Sequence, residues 1–516
     1  MALEVTILDG YTDEPAGLGV PPYIDVYPRY IAGAVWSIVP EAKVRYYTID
    51  EARRNWSSFF EVAGRSKYTI IVAGVVVPGK YLGGNPLTAN ETLMIGRLLE
   101  KTRTFSVLAG PAARFGMGLE GGKPATPPSD FKKVYDAVVT GDPEVYVASL
   151  IKEGPERAEP WRRRESYDEI EKFILKGTKL ILQHPNHGYN LTVELETFRG
   201  CSRWVVGGCS FCIEPLYGRP VVRRTENIIR EAEALYRLGA RSFRLGRQTD
   251  ILVYGSKKLG EEEFPAPNPE AIERLFRGLR TVIGNSNLHI DNVNPGTIAR
   301  HEALALKALK CIVKYHSPGD VAALGLESAD ERVIAENNLN TSPEETLKAI
   351  ELINRVGGSV GWNGLPHLLP GINFILGLPG ETRETYRRNL EFLKTLLKRR
   401  LMVRRINIRK VMVIPGTRLY RKWDDSILRK HRKHAEHFKW VVRHRFDPAF
   451  LKMVAPKGRV LRYVFVELCK DSVSYGRQLG SYPILVEIRG KLKPPCTVNA
   501  LIVGHKGRSV KAVLAK

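Results

Sequence analysis

The sequence predicts an α/β protein with three parts: a doubly wound domain at residues 1–160, a central partial (β/α)6 barrel at residues 175–445, and a small β-barrel at residues 458–516. Strands alternate with helical stretches in the first two parts, and short strands separated by glycine turns fill the last. Such alternation is typical of parallel sheets covered by helices, whereas successive short strands are typical of barrels. A chain of 516 residues is also too long for one hydrophobic core.

The first part is predicted from four short apolar runs, most of them rich in β-branched residues and closed by glycine, as buried parallel strands tend to be. These runs are Glu4–Leu8, Tyr68–Gly74, Phe105–Pro111 and Ala137–Asp142. An amphipathic stretch from Ala89 to Lys101 predicts a helix between two of them. The charged stretch from Lys152 to Lys172 is interpreted as a linker that contains a helix.

The central part is predicted from six further strands separated by helical patterns. They are Leu191–Thr197, Arg241–Gly246, Leu288–Val293, Val321–Ser328, Ile372–Gly377 and Ile406–Val411. Six such units in succession predict a TIM-like barrel that is open on one side, with its functional site at the carboxyl ends of the strands. A very basic helical stretch, Arg421 to Arg445, follows the last strand.

The last part changes character after residue 458. Four alternating stretches separated by glycine turns predict its strands: Tyr463–Leu468, Pro483–Ile488, Val498–Gly504 and Val510–Leu514. About sixty residues of this kind are enough for a small, closed or nearly closed β-barrel.

Composition narrows the class of protein. A formal charge of +24 and a pI of about 9.7 favour a polyanionic partner, most simply nucleic acid, although an inert basic surface has the same composition. Six cysteines in 516 residues are too few for a disulfide scaffold. With no signal peptide and no apolar run long enough to cross a bilayer, we expect a protein of the reducing cytoplasm. Glutamine, a thermolabile residue, occurs only three times, which suggests a thermophilic source.

Cys201, Cys209 and Cys212 lie within twelve residues, directly after the first strand of the predicted barrel. A structural zinc site usually has four protein ligands and a disulfide framework needs an even number of thiols, so three clustered thiols fit neither. Three thiolates can instead hold three irons of a cubane iron–sulfur cluster and leave its fourth iron open for a small molecule. The alternative is a zinc or storage loop in an ordinary α/β barrel.

The cysteine motif resembles that of the radical S-adenosylmethionine (radical SAM) superfamily, in which an aromatic residue, here Phe211, precedes the last cysteine. The second gap has the usual two residues, whereas the first has seven in place of the usual three. Gly325–Ile334, Phe374–Thr382 and Val413–Leu419 resemble the superfamily's fourth-, fifth- and sixth-strand motifs. The resemblance covers about residues 185–425.

This resemblance implies a [4Fe–4S] cluster bound by Cys201, Cys209 and Cys212, with S-adenosylmethionine chelated at the open iron. It further implies an electron donor such as ferredoxin or flavodoxin, and a 5′-deoxyadenosyl radical that abstracts hydrogen from a substrate. By their places in the motifs, the residues expected to contact the cofactors are Phe211, Gly246, Gln248, Glu327, Ser328 and Gly377. Structural roles in turns, ion pairs and packing are the alternative for most of them.

The first part resembles the Rossmann-like, cobalamin-binding domain that precedes many radical SAM barrels. The resemblance rests on Asp13–Tyr23, Val107–Pro111 and Val138–Glu144. No histidine precedes His184, so this part supplies no histidine ligand to cobalt, and cobalamin is left open as a further cofactor. The part also contains no cysteine, which argues against the second cluster of the methylthiotransferases.

The last part resembles the TRAM module of tRNA-modifying enzymes through Tyr475–Ile488 and Val503–Val513. The residues that this resemblance offers for phosphate contacts are Arg477, His505, Lys506, Arg508 and Lys511. Together these resemblances imply an RNA-modifying radical SAM enzyme, with tRNA the expected substrate. Two alternatives stay open: cobalamin-dependent methyl transfer to another substrate, and an RNA-binding protein with a purely structural cluster.

Overall fold

The computed structural model describes residues 3–12, 22–76 and 82–515. Most of the predicted glycine-rich loop at residues 13–23 lies outside the described residues. In the described part, no helix is both long and apolar enough to cross a membrane.

The first part contains a parallel sheet with both faces covered. The first six strands in the described residues are β1 (Glu4–Asp9), β2 (Tyr23–Ile24), β3 (Lys43–Thr48), β4 (Tyr68–Val72), β5 (Phe105–Ala109) and β6 (Ala137–Val138). Five of them form one sheet in the order β3-β1-β4-β5-β6, all parallel. Ile70 and Ile71, neighbours on β4, belong to two separate cores on opposite faces of this sheet. The doubly wound arrangement is therefore confirmed.

Seven helices flank or connect these strands: α1 (Val26–Ile38), α2 (Ile49–Arg54), α3 (Trp56–Arg65), α4 (Ala89–Leu99), α5 (Pro111–Phe115), α6 (Pro128–Phe131) and α7 (Pro143–Glu153). Helix α4 begins with a capping box: the Thr88 side chain accepts from the Glu91 amide, and Glu91 accepts from the Thr88 amide. This reciprocal arrangement satisfies two amide groups that a helix start otherwise leaves unpaired.

Eight strands build the central part: β7 (Thr192–Glu196), β8 (Phe198–Arg199), β9 (Val221–Val222), β10 (Ser242–Gly246), β11 (Asn287–His289), β12 (Asp320–Glu327), β13 (Leu368–Leu376) and β14 (Arg405–Lys410). One parallel sheet has the order β11-β10-β7-β2 and another the order β12-β13-β14. A bridge between Asn292 and Ala323 connects them, so six parallel strands follow one another in chain order, as predicted. The short β2 adds a strand at the β7 edge.

Helices α8 to α18 accompany these strands: α8 (Glu171–Gly177), α9 (Thr225–Arg237), α10 (Pro269–Ile283), α11 (Pro295–Arg300), α12 (Glu302–Tyr315), α13 (Glu331–Asn337), α14 (Pro343–Gly357), α15 (Arg383–Lys398), α16 (Arg418–Lys422), α17 (Ser426–Val441) and α18 (Asp447–Val454). Short 3₁₀ turns lie at Thr178–Gln183, Ser202–Val206, Glu214–Tyr217 and Ile251–Val253, and one π-helical turn at Val442–Phe446 joins α17 to α18.

The last part is a closed barrel of five strands: β15 (Val460–Lys470), β16 (Val473–Arg477), β17 (Leu485–Arg489), β18 (Cys496–Lys506) and β19 (Ser509–Leu514). Its order is β15-β16-β17-β19-β18, and only the β17–β19 pair is parallel. The core of this barrel includes Leu451 and Val454 of α18 and Leu369 of β13, so it continues into the central part. The predicted fold class is thereby confirmed throughout the chain.

Buried ion pairs join the first part to the central one. Arg29 of α1 contacts Glu231 of α9, and both side chains are fully buried. Arg164, in the stretch interpreted as a linker, donates to Glu144 at 2.7 Å and to Glu196 at 3.2 Å. Because removing one member of a buried pair costs about 3–5 kcal/mol, these contacts hold the two parts in a fixed relation.

Candidate active site

The three clustered cysteines follow the end of β7 on a compact loop. The long first gap folds as the Ser202–Val206 turn and is closed by Gly207 and Gly208, both with positive φ angles (75° and 62°). A side chain at Gly208 would place its Cβ 2.1 Å from Pro215. Glycine is therefore required there, and the longer gap is taken up within one tight turn.

All three cysteines line one cavity of about 1000 Å³. Burial raises the pKa of Cys201 to about 12 and raises the pKa values of Cys209 and Cys212 as well. Cys209 also raises the pKa of Cys201, and Cys209 and Cys201 both raise the pKa of Cys212, so the three thiols lie near one another. A bare thiolate is thus disfavoured here, and bound metal ions supply the positive charge that a buried thiolate needs.

Cys201, Cys209 and Cys212 line the same cavity and affect one another electrostatically. In a cubane cluster each thiolate binds a different iron, so three thiolates hold three irons and leave the fourth open. Three neighbouring cysteines on one cavity therefore fit a [4Fe–4S] cluster.

Arg203 places a positive charge beside this group of thiols. Its terminal nitrogen Nη1 donates to Cys209 Sγ at 3.0 Å and to the Asn338 carbonyl at 2.9 Å. Its Nε donates to Glu263 at 2.9 Å, and the side chain is buried. The guanidinium is thus fixed by three partners and lowers the pKa of Cys209 against the effect of burial.

Two of the six residues expected at the cofactors, Phe211 and Glu327, line the cavity. Glu327 ends β12 with a φ of 62°, and its buried Oε2 has no hydrogen-bond partner. Burial raises its pKa to about 8, with Arg409 opposing that shift. A strained backbone and an unsatisfied buried carboxyl oxygen at one residue are typical of a functional position.

The other four residues do not line this cavity. A Cβ on Gly246 would stand 1.9 Å from Glu194, and one on Gly377 (φ 91°) would stand 2.6 Å from Leu428 of α17. Gln248 donates to the Leu245 carbonyl at 3.3 Å, and its buried Oε1 has no partner. Ser328 accepts from the Asp330 amide at 3.2 Å. In this structure they shape the strand ends.

The cavity wall also contains residues that the sequence reasoning missed. Val76, Leu82, Glu120 and Gly121 reach it from the first part of the chain. On the other side it is lined by arginines, namely Arg404, Arg405, Arg443, Arg477 and Arg508. Arg477 and Arg508 are among the phosphate contacts that the TRAM resemblance predicts, whereas no local signal in this basic sequence distinguished Arg404, Arg405 and Arg443 from surface arginines.

The five residues predicted to contact RNA differ in their surroundings. Arg477 pairs with Glu467 through two contacts of 2.7 and 2.8 Å, and the His505 ring contacts the Ala455 carbonyl at 2.7 Å. Lys506, Arg508 and Lys511 are exposed on the last barrel, and of these only Arg508 also lines the cavity. Their role in binding RNA stays a prediction.

Comparison with known proteins identifies the family. Residues 195–393 match the Radical SAM superfamily. An uncharacterised protein of Methanocaldococcus jannaschii is 45% identical over 510 residues, which are 98% of this chain and 92% of that protein. A ribosomal protein uS12 methylthiotransferase, RimO of Thermoanaerobacter sp., is 28% identical over 220 residues, 42% of this chain and 43% of RimO.

Two solved structures share the fold. The radical S-adenosylmethionine methyltransferase TsrM of Kitasatospora setae has a TM-score of 0.51 and 14% identity, covering 81% of this chain and 75% of TsrM. The cobalamin-dependent S-adenosylmethionine radical enzyme OxsB has a TM-score of 0.53 and 12% identity, covering 84% of this chain and 56% of OxsB. The match over residues 195–393 places the chain in the radical SAM superfamily. It is a radical SAM enzyme, whose cofactors are a [4Fe–4S] cluster and S-adenosylmethionine and which needs an electron donor.

Proposed function

We propose that this radical SAM enzyme modifies RNA, with tRNA as the substrate class. The observation that carries the proposal is the single cavity, which has the three cysteines on one wall and arginines on another. The net charge of +24 and the exposed basic side chains of α17 supply a surface that attracts a polyanion. Ferredoxin or flavodoxin in the cytoplasm is the proposed electron donor.

Within this proposal, Cys201, Cys209 and Cys212 hold the cluster, and Arg203 stabilises the thiolate of Cys209. Phe211 and Glu327 face the space where S-adenosylmethionine binds. A cluster bound by these three cysteines would supply the one electron needed for reductive cleavage of S-adenosylmethionine to methionine and a 5′-deoxyadenosyl radical. The chain's own contribution is to orient the cofactor and substrate in one cavity and to limit the access of water to it.

A second candidate function is cobalamin-dependent methyl transfer. TsrM and OxsB share the fold, and OxsB is described as cobalamin-dependent. The first part of this chain lines the same cavity as the cysteines through Val76 and Leu82, which would supply apolar contacts to a corrinoid bound there. Because no histidine precedes His184, such a corrinoid would lack a histidine ligand from this part.

Nucleoside mass spectrometry of tRNA and ribosomal RNA from a deletion strain tests the RNA proposal. We expect one modified nucleoside to disappear and to return on complementation with the wild-type chain or Cys311→Ala, but not with Cys212→Ala. An unchanged nucleoside profile would contradict the proposal, and a lost modification on a ribosomal protein would redirect it to protein. A corrinoid spectrum in the purified protein would support methyl transfer.

The reading of the cluster as purely structural is tested separately. The anaerobically reconstituted and reduced protein should convert S-adenosylmethionine to 5′-deoxyadenosine. An intact cluster that produces none would favour the structural role and would contradict the RNA-modifying and methyl-transfer proposals alike.

A further inference from the structure

Four arginines from three separate segments meet in the cavity away from the cysteine loop. Arg404 and Arg405 stand at the start of β14, Arg443 in the π-helical turn, and Arg508 in the turn between β18 and β19. We call these four residues the arginine cluster. Their grouping depends on the docking of the last barrel, because Arg508 comes from that barrel and the other three from the central part.

Two carboxylates, Asp447 and Asp291, act on guanidinium groups of the arginine cluster, and Asp291 acts on Arg405. Asp447 accepts from Arg443 at 2.7 Å and lies 3.6 Å from Arg508. Two of the other described acids on the cavity wall, Glu214 and Glu327, lie near the cysteines instead, where they affect the thiols Cys212 and Cys209.

Arg404 is the most constrained member of the cluster. It donates to the Tyr482 carbonyl, while its buried Nε has no hydrogen-bond partner. Burial lowers its pKa to about 9, and Arg405 and Arg508 lower it further in the same direction. A buried donor that lacks a partner and is surrounded by like charge is costly unless an anion compensates it.

Guanidinium groups bind phosphate with two parallel hydrogen bonds, and several of them inside a partly enclosed cavity strengthen that attraction. The cavity, at about 1000 Å³, is at the upper end of the volumes of ligand pockets. It thus has room for a substrate group between the arginine cluster and the cysteines.

We infer that the arginine cluster binds a phosphate group of the substrate and so directs the neighbouring part of the substrate toward the cysteine loop. This inference rests on the proposed function only for the source of the phosphate, which in an RNA-modifying enzyme is a nucleotide of the RNA. A free nucleotide or another small phosphoester offers the same chemistry.

The test compares two variants that each remove one positive charge from the last barrel. Arg508→Gln changes the cluster, whereas Arg489→Gln changes an exposed arginine at the end of β17 that does not line the cavity. Inorganic pyrophosphate is titrated into the full-length, reconstituted protein by calorimetry at fixed salt. We expect saturable binding to the wild type, about tenfold weaker binding to Arg508→Gln, and unchanged binding to Arg489→Gln.

If both variants lose the same affinity for pyrophosphate, or if binding does not saturate, the phosphate site is overturned and pyrophosphate adsorbs to the basic surface instead. Adding tRNA from the deletion strain then identifies the source. Displacement of pyrophosphate by tRNA supports an RNA phosphate, while a cluster-dependent pyrophosphate site that tRNA leaves occupied supports a small phosphoester and argues against the RNA function. Normal tRNA modification and normal pyrophosphate binding in Arg508→Gln would overturn the phosphate site but would leave the proposed RNA function standing.

Discussion

Burial at the three clustered thiols sets the first prediction. Burial raises the pKa values of the three thiols, so each thiolate needs a bound metal ion to stabilise its charge. A cluster that lacks one of its three ligands is therefore expected to dissociate from the protein. We expect Cys212→Ala to lose most of the bound iron and sulfide and the visible absorption after anaerobic reconstitution. Cys311→Ala, a half-buried thiol on α12, should retain the wild-type content. Retention of a full cluster in Cys212→Ala would contradict the proposed ligand set.

Arg203 is expected to act on the cluster through charge. Its guanidinium donates to Cys209 Sγ at 3.0 Å, so Arg203→Gln should make the cluster harder to reduce and shift its midpoint potential to more negative values. A redox titration followed by electron paramagnetic resonance measures this shift. The exposed Arg219, which pairs with Glu261, provides the control Arg219→Gln, for which no shift is expected. Equal potentials in all three proteins would show that Arg203 has only a structural role.

At the residue scale, functional residues that share one short motif could be predicted from the sequence, whereas those that meet only in the folded chain could not. The cysteines could be identified because their motif is contiguous, and Glu327 because it belongs to a strand-end motif. The arginine cluster could not be identified, because Arg404 and Arg508 are 104 positions apart and meet only when the last barrel docks. The surroundings of Gly377 could not be predicted either, because the helix that covers this residue, α17, comes from a later segment of the chain.

The contact between Gly377 and α17 gives a prediction at the scale of elements. Gly377→Ala adds a positive-φ strain and places a Cβ 2.6 Å from Leu428, whereas Gly154→Ala adds the strain with no atom within 4 Å. We expect Gly154→Ala to cost about 1 kcal/mol of unfolding free energy and Gly377→Ala about 1–3 kcal/mol more. Denaturant unfolding measures both. Adding Leu428→Ala should recover part of the extra loss, and full additivity would contradict the clash.

The carboxyl end of β1 gives a prediction about pH. Burial raises the pKa of Asp9 to about 7, although Tyr46 OH and the Tyr11 amide donate to it. The unfolded chain releases this proton near pH 4 and the folded chain only near pH 7, so stability falls as the pH rises between these values and then levels off. Three pKa units correspond to a loss on the order of 4 kcal/mol.

Asp9→Asn should therefore flatten the change of the melting temperature between pH 4.5 and 7.5. The partly exposed Asp130, which pairs with Lys133, serves as the matched control through Asp130→Asn. A wild-type slope in Asp9→Asn would show that Asp9 titrates as an ordinary carboxyl group.

Among the elements, continuous apolar strands were predictable, whereas strands with mixed polarity or an internal glycine were not. All six strands of the partial barrel were expected, since each carries an apolar or β-branched run. Strand β3 was missed because Lys43, Arg45 and two tyrosines alternate along an edge strand, and β16 because Gly476 interrupts it. In β2 only two residues pair, which is too short a pattern to recognise.

In the whole molecule, the last barrel is a structural partner of the central one. Tyr482, in the loop between β16 and β17, donates to Asp291 at 3.0 Å, and its hydroxyl accepts from Arg244 at 3.4 Å. Both of these partners are buried. Deleting residues 458–516 would therefore uncover the buried ion pair between Arg244 and Asp291 and would also remove basic residues. Weaker RNA binding by such a truncation would then have two causes.

Tyr482→Phe separates these causes, because it removes only the hydroxyl. We expect a loss of about 1–3 kcal/mol in unfolding free energy, because Asp291 and Arg244 lose a buried partner. Tyr475→Phe, at a half-buried position on β16 of the same barrel, keeps the ring and should change stability by less than about 0.5 kcal/mol. Calorimetric unfolding measures both variants, and equal stability of the two would show that the barrel docks without this contact.

The residues that line the cavity run from Val76 to Ser509, and the thiol loop at Cys201–Cys212 lies between them in the sequence. A complete wall therefore needs residues from all three parts of the chain. Cleavage of the chain between the central and last parts would divide this wall, so neither fragment alone would enclose the cavity. Because the core of the last barrel continues into the central part, we expect turnover to return only when the two fragments reassemble.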